Sequence, residues 1–147
     1  LKARKRAFMN SHSTQKLTAR LRQHGLRPTR QRVRLASFLL DGRNRHVKPD
    51  DIYDQLKTDP EKLSRGTVYN TLRQFCDAGL LRKVRGVGDT LIYDTNLHDH
   101  HHFLNVETDE LIDIKHDKVQ IKQLPDLPED YAIASVELTI RIRKSSQ

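Results

Sequence analysis

Four imidazoles fall within five residues in His98-Asp99-His100-His101-His102. A neutral imidazole is a good ligand for iron, manganese or zinc near pH 7. If this run begins a strand, His100 and His102 point to one side and His101 to the other. Two histidines on one side are half of a typical metal site, so further donors must come from elsewhere in the fold. His46, at the start of a helix, and Asp94, at the end of a hairpin, are the candidates. A site shared by these residues would clamp two halves of the chain and couple ion binding to their separation. His12, His24 and His116 stand apart and read as surface or capping residues.

A second constellation suits DNA. Recognition helices present side chains to base edges and use flanking cations to hold phosphates. Arg65-Gly66-Thr67-Val68-Tyr69-Asn70-Thr71-Leu72-Arg73 offers both. Tyr69 would pack on thymine methyls and Asn70 would read a base edge. Thr67, Arg65 and Arg73 would fix phosphates. Arg27, Arg30 and Arg32 form another basic cluster at a helix start, and Arg27, just before a proline, suits a minor groove.

The elements that must carry these groups follow from pattern. Leu17, Leu21 and His24 share a helical face before Gly25. Thr29 is an N-cap for a helix with Val33, Ala36 and Leu40 at helical spacing, closed by Asp41-Gly42. Pro49 opens a short helix with Ile52 and Leu56 on one stripe. Ser64 caps a helix over 65–78, with Val68, Leu72 and Phe75 facing the core and Tyr69, Asn70 and Arg73 on another face. Gly79 closes it. Leu80–Val84 and Thr90–Asp94 read as two strands of a hairpin. Several short helices and a basic hairpin make a winged helix-turn-helix.

The texture then changes. Phe103–Val106 and Leu111–Ile114 read as strands joined by a turn at Thr108-Asp109. Residues 117–124 are expected to form one short helix and Pro125–Asp130 a loop. In the last strand Val136, Leu138, Ile140 and Ile142 alternate with polar residues, which predicts one dry face. The expected class is α+β: an N-terminal winged helix-turn-helix DNA-binding domain over 14–95, followed by a small C-terminal α/β dimerisation domain over 96–147. Residues 1–13 lack an initiator Met and are expected to be a flexible basic arm or the remainder of a trimmed start.

Charge divides in the same way. The net charge is +8; residues 1–95 carry 21 Lys/Arg and 9 Asp/Glu, a net of +12, whereas residues 96–147 carry 6 and 10, a net of −4. A basic half points to a polyanionic partner, with DNA the usual one. With 147 residues and 35% hydrophobic residues, a small core completed by a second copy is expected rather than a large enzyme core. One cysteine, Cys76, excludes a disulfide framework and a four-cysteine zinc site within one chain. It reads as a small packing residue. No apolar run reaches the length of a bilayer span and no secretory leader is visible, so a cytoplasmic protein without a membrane partner is expected. No Gly-rich phosphate loop, nucleophile elbow or second acidic cluster accompanies the histidines. An enzyme is therefore not expected, with a metal-dependent hydrolase as the remote alternative.

Several segments together resemble the ferric uptake regulator family. They are Gly25-Leu26-Arg27-Pro28-Thr29-Arg30-Gln31-Arg32, His46-Val47-Lys48-Pro49-Asp50-Asp51-Ile52-Tyr53, Thr67-Val68-Tyr69-Asn70-Thr71-Leu72, Ala78-Gly79-Leu80-Leu81 and the histidine run. The resemblance spans about residues 15–143 in order. It implies a homodimer on a palindromic operator. It also implies a regulatory site of His46, Asp94, His100 and His102, with Asp113 at the acidic position used by peroxide-sensing members. His101 matches one ligand of a second metal site whose other positions hold Gln120 and Val136. Asn105 and Thr108 stand where a first cysteine pair would be, so no structural zinc held by four cysteines is expected. The chain is most similar to the iron response regulator (Irr) branch, through the histidine triplet followed by Phe103-Leu104-Asn105-Val106-Glu107-Thr108. That branch controls iron and haem homeostasis and responds to haem, which here would be held by His100, His101 or His102, since Cys76 is followed by Asp77 and not by proline. The expected ligand is thus a divalent metal (Fe, Mn or Zn), haem, or both. A manganese-, zinc- or peroxide-responsive repressor is the alternative.

Overall fold

The computed structural model describes residues 11–146. Most of the expected basic arm, residues 1–10, lies outside the described residues; Ser11 to Ser13 form the first turn of a helix. The chain divides into two compact units. One runs up to Val84 and resumes over Leu91–Asn96; the other takes Arg85–Thr90 and the chain from Leu97 onward.

Among the described residues, the first unit is built on four helices. Helix α1, Ser11–Gln23, buries Leu21 and packs Leu17 beside it. It ends at Gly25, whose φ of +75° is easy only for glycine, and Leu26 N–H closes the turn on Leu21 C=O at 2.9 Å. Helix α2, Arg30–Leu39, is capped by the Thr29 hydroxyl, which accepts from Arg32 N–H at 3.2 Å. Its buried stripe is Leu35, Ala36 and Leu39. Of the expected trio only Ala36 is fully buried. Val33 and Leu40 pack at the edge, because Leu40 is the C-cap and lies past the last helical residue.

Helix α3, Pro49–Leu56, opens on its proline and buries Ile52 and Leu56. Helix α4, Arg65–Asp77, is capped by Ser64, whose hydroxyl accepts from Thr67 N–H at 3.1 Å. Val68, Leu72 and Phe75 are fully buried and join Leu21, Leu35, Leu39, Ile52 and Leu56 in one core. At about 1.5–3 kcal/mol for each fully buried large aliphatic or aromatic side chain, this cluster holds α4 in a fixed orientation.

Three short strands complete the unit: β1 (His46–Val47), β2 (Arg82–Arg85) and β3 (Leu91–Asp94), in the order β1-β3-β2. His46, expected at the start of a helix, lies instead in β1. Lys48, just before Pro49, is held extended and the helix starts only at the proline. Leu80 and Leu81 are core residues that precede the strand rather than part of it. The arrangement is a winged helix-turn-helix.

The second unit is a three-stranded sheet in the order β5-β4-β6. Strands β4 (His100–Asn105) and β5 (Glu110–Lys115) pair antiparallel, and β6 (Thr139–Ile142) pairs parallel with β4. The Asn105 side-chain oxygen closes the β4–β5 turn by accepting from Glu107 N–H at 2.9 Å and Thr108 N–H at 3.3 Å. Hydrogen bonds thus close the turn where the resemblance would put a cysteine pair. The helix expected over 117–124 does not form. A 3-10 turn at His116–Lys118 is followed by 119–138 without regular structure. Val119 and Ile121 alternate with Lys118, Gln120 and Lys122 in the strand period, and Pro125 biases Leu124 away from helical geometry. The last strand is shorter than its pattern, since Val136 and Leu138 precede it. Among the described residues no helix is long and apolar enough to cross a membrane.

Candidate functional site

Strand β4 alternates as the histidine pattern requires. His100 and His102 turn their rings to one side, with Nε2 atoms 2.9 Å apart and rings edge-to-face at 4.5 Å between centroids. Antiparallel register sets Asp113 of β5 directly opposite His102. Its Oδ1 lies 3.4 Å from both Nε2 atoms. The His100 Nδ1 contacts His98 C=O at 2.6 Å, so that nitrogen donates and Nε2 keeps its lone pair. Both rings are buried, at 5% and 4% exposure. Two buried imidazole nitrogens this close, with a partly exposed carboxylate oxygen beside them, are satisfied by a shared cation or by a proton between them. With metal–ligand bonds of about 2.0–2.2 Å, ligand atoms around one first-row ion lie about 3.0–3.4 Å apart, so the spacing fits a small ion.

His101 faces the other way. Its ring is 1% exposed, stacks on His116 at 5.4 Å, and accepts through Nδ1 from Leu138 N–H at 3.1 Å. Burial, then the neighbouring His116, His100 and His102, push its pKa down, which keeps it a neutral acceptor. His116, which reads in the sequence as an ordinary histidine, is therefore the stacking partner of His101; no local pattern signals it. Gln120 is exposed and Val136 half-buried.

In the first unit, β1 and β3 place His46 opposite Asp94. His46 Nε2 lies 3.4 Å from Asp94 Oδ2. Asp94 is fully buried, and its other oxygen accepts from Asn96 N–H at 2.8 Å. A buried carboxylate beside an imidazole is a donor pair of the same chemistry as the β4–β5 cluster.

On α4, Arg65, Tyr69, Asn70 and Arg73 are exposed, opposite the buried Val68, Leu72 and Phe75. Arg73 donates to the Asn70 side-chain oxygen at 3.2 Å, which leaves the Asn70 amide N–H groups outward. Thr67 is less available, since its hydroxyl bonds the Ser64 cap at 2.8 Å. Arg27 and Arg30 are exposed. Arg32 is committed within the fold: its guanidinium donates to Gln74 Oε1 of α4 at 3.2 and 2.9 Å and to Arg27 C=O at 2.8 Å. His24 Nδ1 contacts Ala78 C=O at 2.8 Å, at the end of α4. Cys76 packs against the core, and burial pushes its thiol pKa up, as expected of an inert packing residue. The residue the sequence did not single out is Asp50. It accepts from the Tyr69 hydroxyl at 3.1 Å and pairs with Arg65 at 3.3 Å.

Comparison with known proteins gives a consistent picture. A profile of the ferric uptake regulator family matches residues 23–141. A peroxide-responsive repressor, PerR, of Staphylococcus aureus is 28% identical over 130 residues, covering 88% of this chain and 87% of the relative. The ferric uptake regulator of Pseudomonas aeruginosa with manganese has a similar structure, with a TM-score of 0.71, 24% identity, and coverage of 88% of this chain and 98% of that one. The ferric uptake regulator of Francisella tularensis with iron superposes with a TM-score of 0.66 at 19% identity, covering 82% and 92%.

Proposed function

The chain belongs to the ferric uptake regulator family, and from that premise we propose that it is a homodimeric, sequence-specific DNA-binding transcriptional regulator of iron homeostasis. Its affinity for a palindromic operator is set by a divalent ion. His100, His102 and Asp113 would hold that ion, with His46 and Asp94 as the donors from the DNA-binding unit. The observation that carries the reading is the convergence of two buried Nε2 atoms at 2.9 Å with the Asp113 carboxylate. A bound ion supplies positive charge and directional bonds that fix these side chains. The chain's own part is to aim them: the β4–β5 register presents the carboxylate, and the His98 carbonyl sets the His100 tautomer.

With no thiolate in the set, imidazole and carboxylate donors suit iron, manganese or zinc. Haem is less well served. A haem iron needs an imidazole nitrogen facing a flat ring, whereas the His100 and His102 nitrogens face each other. The α4 face carries the DNA reading, with Tyr69 and Asn70 toward bases and Arg65 and Arg73 toward phosphates; Arg30, at the start of α2, adds a phosphate contact and Arg27 a minor-groove contact.

The test is selection of duplexes from a random-sequence pool with purified protein, carried out with Fe(II), Mn(II), Zn(II) or hemin and with a chelator. The reading expects an enriched palindrome whose binding changes between the ion-loaded and chelated states. With about six phosphates contacted per dimer, the log–log salt slope should be about −5. A pool with no enriched duplex in any state overturns it.

A ferrous peroxide sensor is a second reading, favoured by Asp113 beside both imidazoles and by the S. aureus relative. It predicts oxygen added to His100 or His102 when the Fe(II) protein meets peroxide, read by mass spectrometry. Unmodified histidines after full loss of DNA binding would exclude it.

A further inference from the structure

Asp50 is the second residue of α3 and is exposed. One of its oxygens, Oδ1, takes the hydrogen bond of Tyr69 at 3.1 Å and the guanidinium of Arg65 at 3.3 Å. The same guanidinium lies 5.2 Å from the ring centre of Tyr53, also on α3. One carboxylate therefore holds two side chains of the recognition helix from a neighbouring helix.

An ordinary role is available for such a residue. An acidic group in a first helical turn favours the helix slightly through the helix dipole. An exposed ion pair adds little more, because solvent screens it. The helix-end effect does not depend on where Tyr69 and Arg65 are put, and the ion pair constrains Arg65 alone. Their placement does matter, because both stand on the face proposed to meet DNA.

We propose that Asp50 is a specificity-determining positioning residue that pins the Tyr69 ring for base contact and withholds Arg65 from phosphates on unmatched DNA. The inference rests on the DNA-binding reading above and deepens it. Random DNA is held almost entirely through phosphates. A carboxylate facing those phosphates, together with an Arg already paired to it, weakens that mode. On a matched site a preset Tyr69 reaches its base without losing rotamer freedom on binding, which offsets the repulsion. The hydroxyl stays a donor, since burial and the Asp50 bond both push the phenol pKa up.

The experiment uses the full chain, a duplex enriched by the wild-type protein from a random pool, and a scrambled duplex of equal length. Binding is measured by fluorescence anisotropy across a salt series for wild type, Asp50→Ala, Asp50→Asn and Tyr69→Phe. In Asp50→Ala the scrambled duplex should bind several-fold tighter at low salt, with a log–log slope steeper by about two, one for each protomer's Arg65. Its ratio of selected to scrambled affinity should fall about tenfold, and Tyr69→Phe in that background should lower the ratio no further. In Asp50→Asn the slope should steepen equally, but more of the ratio should survive, because the amide oxygen still accepts from Tyr69. This variant also keeps the test intact if the alanine change impairs folding. If thermal midpoints fall while slope and ratio stay at wild-type values, Asp50 is only a helix-end residue and the inference fails alone. If no duplex is enriched, the DNA-binding reading fails, and this inference with it.

Discussion

Replacing Arg32 separates a structural arginine from a DNA-contacting one. Its guanidinium makes three hydrogen bonds, two to Gln74 of the recognition helix and one to Arg27 C=O. A hydrogen bond from a charged group is worth about 1.5–3 kcal/mol when well shielded. These are partly exposed, so a value of about 0.5–1 kcal/mol each is appropriate. Arg32→Ala should then cost about 2 kcal/mol. For a unit of this size that lowers Tm by about 10 °C. Gln74→Ala should reproduce most of the loss, and the double variant should fall well short of the sum. Because the guanidinium is already spent on protein acceptors, the salt slope of DNA binding should not change. Arg30 is the control: it is exposed, so Arg30→Ala should flatten the slope by about 1.8, which is about 0.9 for each protomer of the dimer, and leave Tm in place. Thermal melts by circular dichroism and anisotropy salt series measure both quantities. An Arg32→Ala protein with wild-type Tm and a flattened slope would refute the reasoning and make Arg32 a phosphate ligand.

Three further outcomes follow from the packing and charge of the first unit. Phe75 is fully buried in its core, so Phe75→Ala should cost about 3–5 kcal/mol in urea unfolding. Arg45, then Arg43, hold the Asp41 carboxyl down at about 2 from its ordinary 3.8, and Arg34 lowers Asp59. A depressed folded pKa gives stability that is present above the unfolded value and lost as pH falls through the folded one, so urea midpoints should decline between about pH 4 and pH 2; Arg45→Ala should flatten that decline. Cys76, with its raised thiol pKa, should react with a maleimide far more slowly in the native protein than after unfolding in urea.

Much of the first unit is legible in the sequence because its signals are local. Thr29, Ser64 and Pro49 sit at helix starts for reasons of hydrogen bonding and φ, and Val68, Leu72 and Phe75 share a face by period alone. The opposite directions of His100 and His101 likewise follow from strand alternation. What escapes the sequence depends on distant partners. Strand β1 exists because His46 and Val47 find β3 almost fifty residues later. His101 acquires its role from Leu138 and His116, and Asp50 from Arg65 and Tyr69 on another helix. Asp113 is implied by resemblance only; its place beside His102 is a matter of β4–β5 register, which the turn at Asn105 determines. The helix expected over 117–124 fails on period, since the apolar residues there alternate as in a strand and run into Pro125.

The most direct test of the account is ion binding and DNA binding measured together on the wild type and on a His100→Ala/His102→Ala variant, with Mn(II) or anaerobic Fe(II). The account predicts that the wild type takes up the ion and changes its affinity for the selected duplex, whereas the variant binds the ion at least about a hundredfold more weakly and no longer responds. A variant that keeps both the ion and the DNA response would contradict it.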